Sequence, residues 1–241
     1  MRAAWLAIGL LWSAAAGGEV LYRLPWADGL SFMFTQVPGG RITTHFTKAT
    51  LHAVDIAMPP GMSVVAAREG VVETVDAHQG PNDEPLTYEG NLVRVRHADG
   101  TAAIYAHLKH GGVAVAAGDH VAVGQLLGYS GASGDVDEPH LHFVVTRRQT
   151  NSAGWPEEVS IPVRFYVGVP PVPFTARPAL RVSANYSGPA DMPRAPSETR
   201  MFASKLPTLE PGEEPRAWAT LGLWLVCAAA GVAWFWKFST S

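Results

Sequence analysis

Through the middle of the chain, apolar and polar positions change over with a short period, and glycines interrupt the pattern every few residues. The runs at 53–57 (AVDIA), 63–67 (SVVAA), 70–75 (GVVETV), 91–96 (NLVRVR) and 102–107 (AAIYAH) are too short for helices. They are rich in valine and small apolar residues and bounded by turn formers. That pattern predicts short β-strands joined by tight turns. Further strands are expected at 30–34 (LSFMF) and in EPHLHFVVT, where Phe143 to Thr146 are aromatic and β-branched. Asp99-Gly100 between two predicted strands is a two-residue hairpin signal. Residues 79–90, with Pro81, Asn82 and Pro85, read as an irregular loop. The expected fold class is all-β: an antiparallel barrel or sandwich rather than alternating βα units.

The two ends follow a different pattern. Met1-Arg2, an apolar run at 3–12 and the small residues Ser13 to Ala16 form a secretory signal, expected to be cleaved near Ala16 or Gly17. Residues 217–236 are uncharged and long enough to span a bilayer. Trp218 and Trp224 lie near the start of this stretch, Trp234 and Trp236 close it, and Lys237 follows. The frequent prolines of 169–215 suit a semi-extended tether whose first part, to about Val182, could pack as an edge strand. The expected order is signal peptide 1–16, lead segment 17–38, main domain 39–168, tether 169–215 and transmembrane helix 216–237. Such a chain is exported and C-terminally anchored on the outer face of the inner membrane, in the cell envelope.

Composition narrows the chemistry. A formal net charge of -3 with no long basic run argues against a nucleic-acid partner. The one cysteine, Cys227, lies inside the predicted span, so the main domain has no disulfide and no thiol nucleophile. What remains is histidine and aspartate. His140 and His142 are two apart, so on a strand both imidazoles face one side, where one can hold a metal and the other move a proton. Asp55 sits among apolar neighbours and is either a turn cap or a ligand. His107, two residues after Tyr105, would be structural if it stood alone.

Together these residues form the order Asp…Tyr-x-His…His-x-His within a glycine-punctuated all-β domain. The chain here resembles the lysostaphin-type (LytM-like) zinc metalloendopeptidases, which hydrolyse peptidoglycan. The matching text is AVDIAMPPGMSVVAAREGVVETV, GNLVRVRHADGTAAIYAHL, GDHVAVGQLLGYSGASG, EPHLHFVV and SIPVRF, in family order between 45 and 165. The resemblance implies a Zn2+ cofactor with Asp55 and His142 as two of its ligands, and His107 and His140 as the pair flanking the reacting water. A catalytic zinc takes three protein ligands and leaves one position open. One flanking imidazole then accepts a proton while the other stabilises developing charge or protonates the leaving amine.

The first ligand departs from the family's H-x-G-x-D pattern, because Leu51 and Ala53 stand where the histidine and glycine would be. His52 is three residues before Asp55 and falls on the opposite strand face unless a bulge resets the alternation. His45 would have to enter from a loop. Both remain open, and the resemblance favours His45. The implied function is an exported, membrane-tethered endopeptidase acting on peptidoglycan stem peptides or cross-bridges. The alternative is a catalytically inactive wall-binding or hydrolase-regulating module. His78, His97, His110 and His120 lie in or near predicted turns and are expected at solvated surface. Asn91 opens a strand where it would shape the groove.

Overall fold

The computed structural model describes residues 20–41, 43–80 and 87–192. These fall in one compact unit, Met1–Arg194. The expected signal segment and transmembrane helix lie outside the described residues. Among the described residues no helix is long and apolar enough to cross a membrane.

Every regular element described is a strand. In chain order they are β1 (Leu21–Arg23), β2 (Ser31–Gln36), β3 (Val54–Ala57), β4 (Ser63–Val65), β5 (Gly70–Asp76), β6 (Leu92–Arg96), β7 (Thr101–Ala106) and β8 (Leu108–Val113). They continue with β9 (His120–Val121), β10 (Leu126–Ser130), β11 (Leu141–Thr150), β12 (Pro156–Ser160), β13 (Arg164–Val167), β14 (Val172–Phe174) and β15 (Arg181–Ser183). The all-β expectation holds, and no sheet closes on itself, so the architecture is sandwich-like rather than a barrel. The large sheet runs β15-β2-β3-β11-β7-β6-β5-β9, with β12 added alongside β11. Two three-stranded sheets, β4-β10-β8 and β1-β13-β14, accompany it. All pairings are antiparallel except β1 with β13.

One core joins the three sheets. Trp26, Phe34, Phe143 and Phe165 are essentially inaccessible, and Phe165 meets Phe34 and Phe143 at ring-centroid distances of 5.6 and 5.7 Å. Aromatic contacts of this kind add to the burial of apolar area, the dominant favourable term in folding. Strand β11 explains the site's position. Its first half, LHFVVT, is buried throughout, with Leu141, Phe143 and Val145 in the core. By alternation His142 points to the other face. Registers His142↔Asp55 with β3 and His142↔Ala106 with β7 then put Asp55, His142 and the end of β7 side by side.

Segments on both sides of 39–168 contribute strands to this fold. β2 pairs with β3, and β15, from the proline-rich region, pairs with β2 at the sheet edge. The Asp99-Gly100 hairpin forms between β6 and β7, with Gly100 at φ +79°.

His78, His110 and His120 are exposed, in line with expectation. His97 is a correction. It is 1 % exposed, packed edge-on against Tyr22 with ring centroids 5.7 Å apart, and its Nδ1 lies 2.7 Å from the Glu69 carbonyl. Tyr22 and the Glu69 carbonyl enclose the ring, and burial lowers the His97 pKa.

Candidate active site

Asp55 is 2 % exposed, in the middle of the large sheet. Its Oδ1 is the convergence point of the site: His142 Nδ1 lies at 2.9 Å, His45 Nε2 at 3.2 Å and His140 Nε2 at 3.7 Å. Burial alone would raise the Asp55 carboxyl pKa, but hydrogen bonds from His142 and His45 outweigh it and hold the group well below the usual carboxylate range.

His45 arrives from the loop between β2 and β3. An irregularity between Phe34 and Gln36 in the β2–β3 pairing leaves Gln36 opposite Asp55. The Gln36 Oε1 accepts the Thr44 backbone N–H at 2.7 Å, which brings the next residue, His45, to the carboxylate. The ring of His45 is buried at 3 % exposure and stands edge-on to His142 at 4.9 Å. His52 is held elsewhere. It lies in the turn before β3, half-buried, with its backbone N–H donating to Ser160 Oγ at 3.0 Å.

His45, Asp55 and His142 form a metal-capable group, with one ligand atom from each lying within 4.8 Å of the others. The donor set fits zinc, which takes nitrogen and carboxylate oxygen at about 2.0–2.1 Å, so tetrahedral ligand atoms stand about 3.3–3.4 Å apart. The 3.2 and 2.9 Å separations around Asp55 Oδ1 are close to that edge length. The one carboxylate of the set would offset half the charge of a divalent ion.

His107 and His140 form a second pair beside it, with ring centroids 4.5 Å apart. Neither is inside a strand. His140 immediately precedes β11, and its Nδ1 lies 2.8 Å from the Glu138 carbonyl. His107 is the residue between β7 and β8, with φ +61°, a left-handed conformation that costs a non-glycine residue roughly 1–3 kcal/mol. Its backbone N–H donates to the Glu89 carbonyl at 3.0 Å, and its Nδ1 lies 2.8 Å from the Ser133 carbonyl. A carbonyl only accepts, so in the neutral rings both Nδ1 atoms carry hydrogen and both Nε2 atoms present a lone pair. Burial, then the neighbouring His140 and His142, push the His107 pKa down to about 3. The ring is therefore neutral around pH 7.

That shift has a stability consequence. Between pH 6.5 and about 3 the unfolded chain takes up a proton that folded His107 does not. Stability falls as pH falls, and Asp55, whose folded pKa is also depressed, adds a loss in the same direction at more acidic pH. For the metal-free protein the contribution from His107 is on the order of 1 kcal/mol per pH unit across this window. Urea unfolding midpoints at several pH values check it, and the slope is expected to be shallower in His107→Gln.

The four imidazoles and Asp55 line a cleft of about 370 Å³, rimmed by Tyr88 and by the segment from Asp135 to Pro139. A close backbone approach at Gly134 joins the two rim segments. Gly134 has φ +87°, and a Cβ there would lie 2.6 Å from the Tyr88 carbonyl oxygen and 2.7 Å from the Gly90 nitrogen. Gly134→Ala therefore combines backbone strain with a clash against backbone. It is expected to destabilise by roughly 2 kcal/mol or more, read as a drop in Tm.

Ser133, Glu138 and Gln36 were not singled out by the sequence. Ser133 and Glu138 act through backbone carbonyls, which every residue carries, so residue type gave no signal. Gln36 stands on a predicted lead segment, and only the β2–β3 register places it near His45.

Fold and site together define a class: an all-β domain built around a buried, metal-capable group of two histidines and one aspartate. Residues 50–153 match the model of Peptidase family M23. Asp55, His107, His140 and His142 fall inside the matched segment, and His45 precedes it. Peptidoglycan DD-endopeptidase ShyA of Vibrio cholerae is 33% identical over 152 residues, covering 56% of this chain and 33% of that protein. DD-carboxypeptidase/endopeptidase Mpg of Neisseria meningitidis is 36% identical over 90 residues, covering 37% of this chain and 18% of its own. The chain thus spans a third or less of these curated relatives. Among solved structures, lysostaphin from Staphylococcus simulans is 26% identical, with a TM-score of 0.38 and coverage of 53% of this chain and 47% of that one.

Proposed function

We propose that this protein is an exported, membrane-tethered zinc endopeptidase that hydrolyses peptide bonds in peptidoglycan stem peptides or cross-bridges. The observation that carries the reading is the convergence of His45, His142 and His140 on one buried oxygen of Asp55, with His107 beside them. In this reading His45, Asp55 and His142 hold the metal, and His52 does not. Bound there, Zn2+ supplies Lewis acidity that polarises a peptide carbonyl and makes water nucleophilic near neutral pH.

The chain's own groups do the rest. His107 and His140 present their Nε2 atoms to the cleft; one takes the proton from the attacking water, and that proton then passes to the leaving amine. Their Nδ1 hydrogen bonds fix ring orientation, so little reorganisation is needed at the moment of reaction. The cleft has room for a few residues of extended peptide. The names of the relatives support a peptidoglycan substrate. The signal expected at 1–16, the proline-rich residues after β15 and the apolar segment at 216–237 support an enzyme held at the outer face of the inner membrane, able to reach the wall around it.

The test is incubation of the full chain with purified peptidoglycan. New amino termini and released muropeptides are expected, abolished by a chelator and restored by added zinc. Zinc-loaded protein that leaves both cross-links and stem peptides intact would sink the proposal.

A further inference from the structure

Behind His107 lies a polar knot with almost no solvent contact. Asn91 is 0% exposed, Gln79 4% and Ser133 7%. The Asn91 side chain accepts the Gln79 backbone N–H at 2.9 Å and donates to the Gln79 carbonyl at 2.9 Å and the Leu108 carbonyl at 3.2 Å. Its own backbone N–H donates to Ser133 Oγ at 2.9 Å, and that hydroxyl donates to the Leu108 carbonyl at 2.7 Å. The Leu108 N–H in turn donates to the Asn91 carbonyl at 2.9 Å.

An asparagine is required for this pattern. Its carboxamide offers an acceptor and two donors, and the knot engages both kinds of atom; aspartate lacks the donors and leucine lacks both. The knot ties the residue after His107 to Ser133, whose carbonyl receives the His107 ring. The close Gly90–Gly134 approach brings the same two segments together from the other side. A buried network with its partners satisfied is rigid, and losing one member leaves others unpaired.

We propose that Asn91 and Ser133 are positioning residues for His107. They hold the Ser133 carbonyl against Nδ1, fix the Nδ1–H tautomer and keep Nε2 as the bare nitrogen facing the cleft. Neither touches substrate. The kinetic consequence rests on the endopeptidase reading, whereas the tautomer does not.

The experiment uses the full chain, labelled with 15N-histidine, as wild type, Asn91→Leu, Ser133→Ala and Ser133→Thr. Nitrogen chemical shifts of the metal-free protein are expected to show His107 as the Nδ1–H form in wild type and in Ser133→Thr. Ser133→Ala and Asn91→Leu should give a mixture of tautomers. On cross-linked wall peptide, kcat should fall about 10- to 100-fold in those two, with KM and zinc content within about twofold of wild type and Ser133→Thr restored. Should Asn91→Leu not fold, the Ser133 pair decides. A wild-type Nε2–H ring, or a Ser133→Ala protein unchanged in both tautomer and kcat, overturns the proposal. A locked Nδ1–H tautomer in a wild type that cuts no wall peptide would remove the peptidase reading and leave the positioning role standing.

Discussion

Replacing Asp55 with asparagine is expected to take bound zinc from about one equivalent to near none, with peptide hydrolysis below detection. Asp55 is the one anionic member of the metal-capable group, and its Oδ1 meets His142 Nδ1 at 2.9 Å and His45 Nε2 at 3.2 Å. An amide oxygen is a neutral and weaker ligand, so a divalent ion would be left in a buried site with its charge uncompensated. The metal-free fold should survive. Asparagine loses charge-assisted hydrogen bonds but also relieves the burial of a carboxylate, and the two effects oppose each other. Zinc analysis alongside thermal unfolding in chelator separates loss of the ligand from loss of structure. Asp55→Asn with wild-type zinc content would refute the ligand assignment. In the same assay His45→Ala should lose zinc and His52→Ala should keep it, because the His52 backbone is tied to Ser160 and its ring is not part of the group around Asp55.

His107→Gln is expected to keep zinc and lose about 10²- to 10⁴-fold in kcat, the range associated with a missing acid–base group. Glutamine can still donate to the Ser133 carbonyl, so the change isolates the loss of the Nε2 lone pair. His107 is 2 % exposed and 4.5 Å from the His140 ring, so no other described side chain is placed to substitute for it without moving His140. His140→Gln should fall in the same range. The double variant should be about as inactive as the worse single one, since the two rings handle one proton path. Single-turnover rates with zinc content measured on the same samples check this. A His107→Gln rate within about threefold of wild type would show that the ring does not move the proton.

Much of this arrangement was legible in the chain. The predicted strand at 53–57 appears as β3, that at 70–75 as β5, and the Phe143–Thr146 text as part of β11. The spacing of His140 and His142 implied a shared direction, and both rings do face Asp55. Predicted and observed positions part at the strand ends. His107 was expected to finish a strand, but it sits one residue past β7 with φ +61°. Nothing local demands that conformation in a histidine; the Glu89 and Ser133 carbonyls impose it from distant segments. His97 looked solvated because it neighbours an Asp-Gly turn. Its burial depends on Tyr22, which belongs to a strand far away in sequence.

The sequence by itself determined the all-β class, the faces on which Asp55 and His142 stand, and the inventory of imidazoles available for chemistry. Alternation along a strand is a local rule, so residue order suffices to apply it. Only the tertiary structure brought His45 rather than His52 to the carboxylate, set the Ser133 carbonyl against His107 and folded Asn91 into the wall behind it. Those contacts are fixed by strand register and loop closure between segments far apart in the chain, and one residue of slip in either would send the same side chains elsewhere.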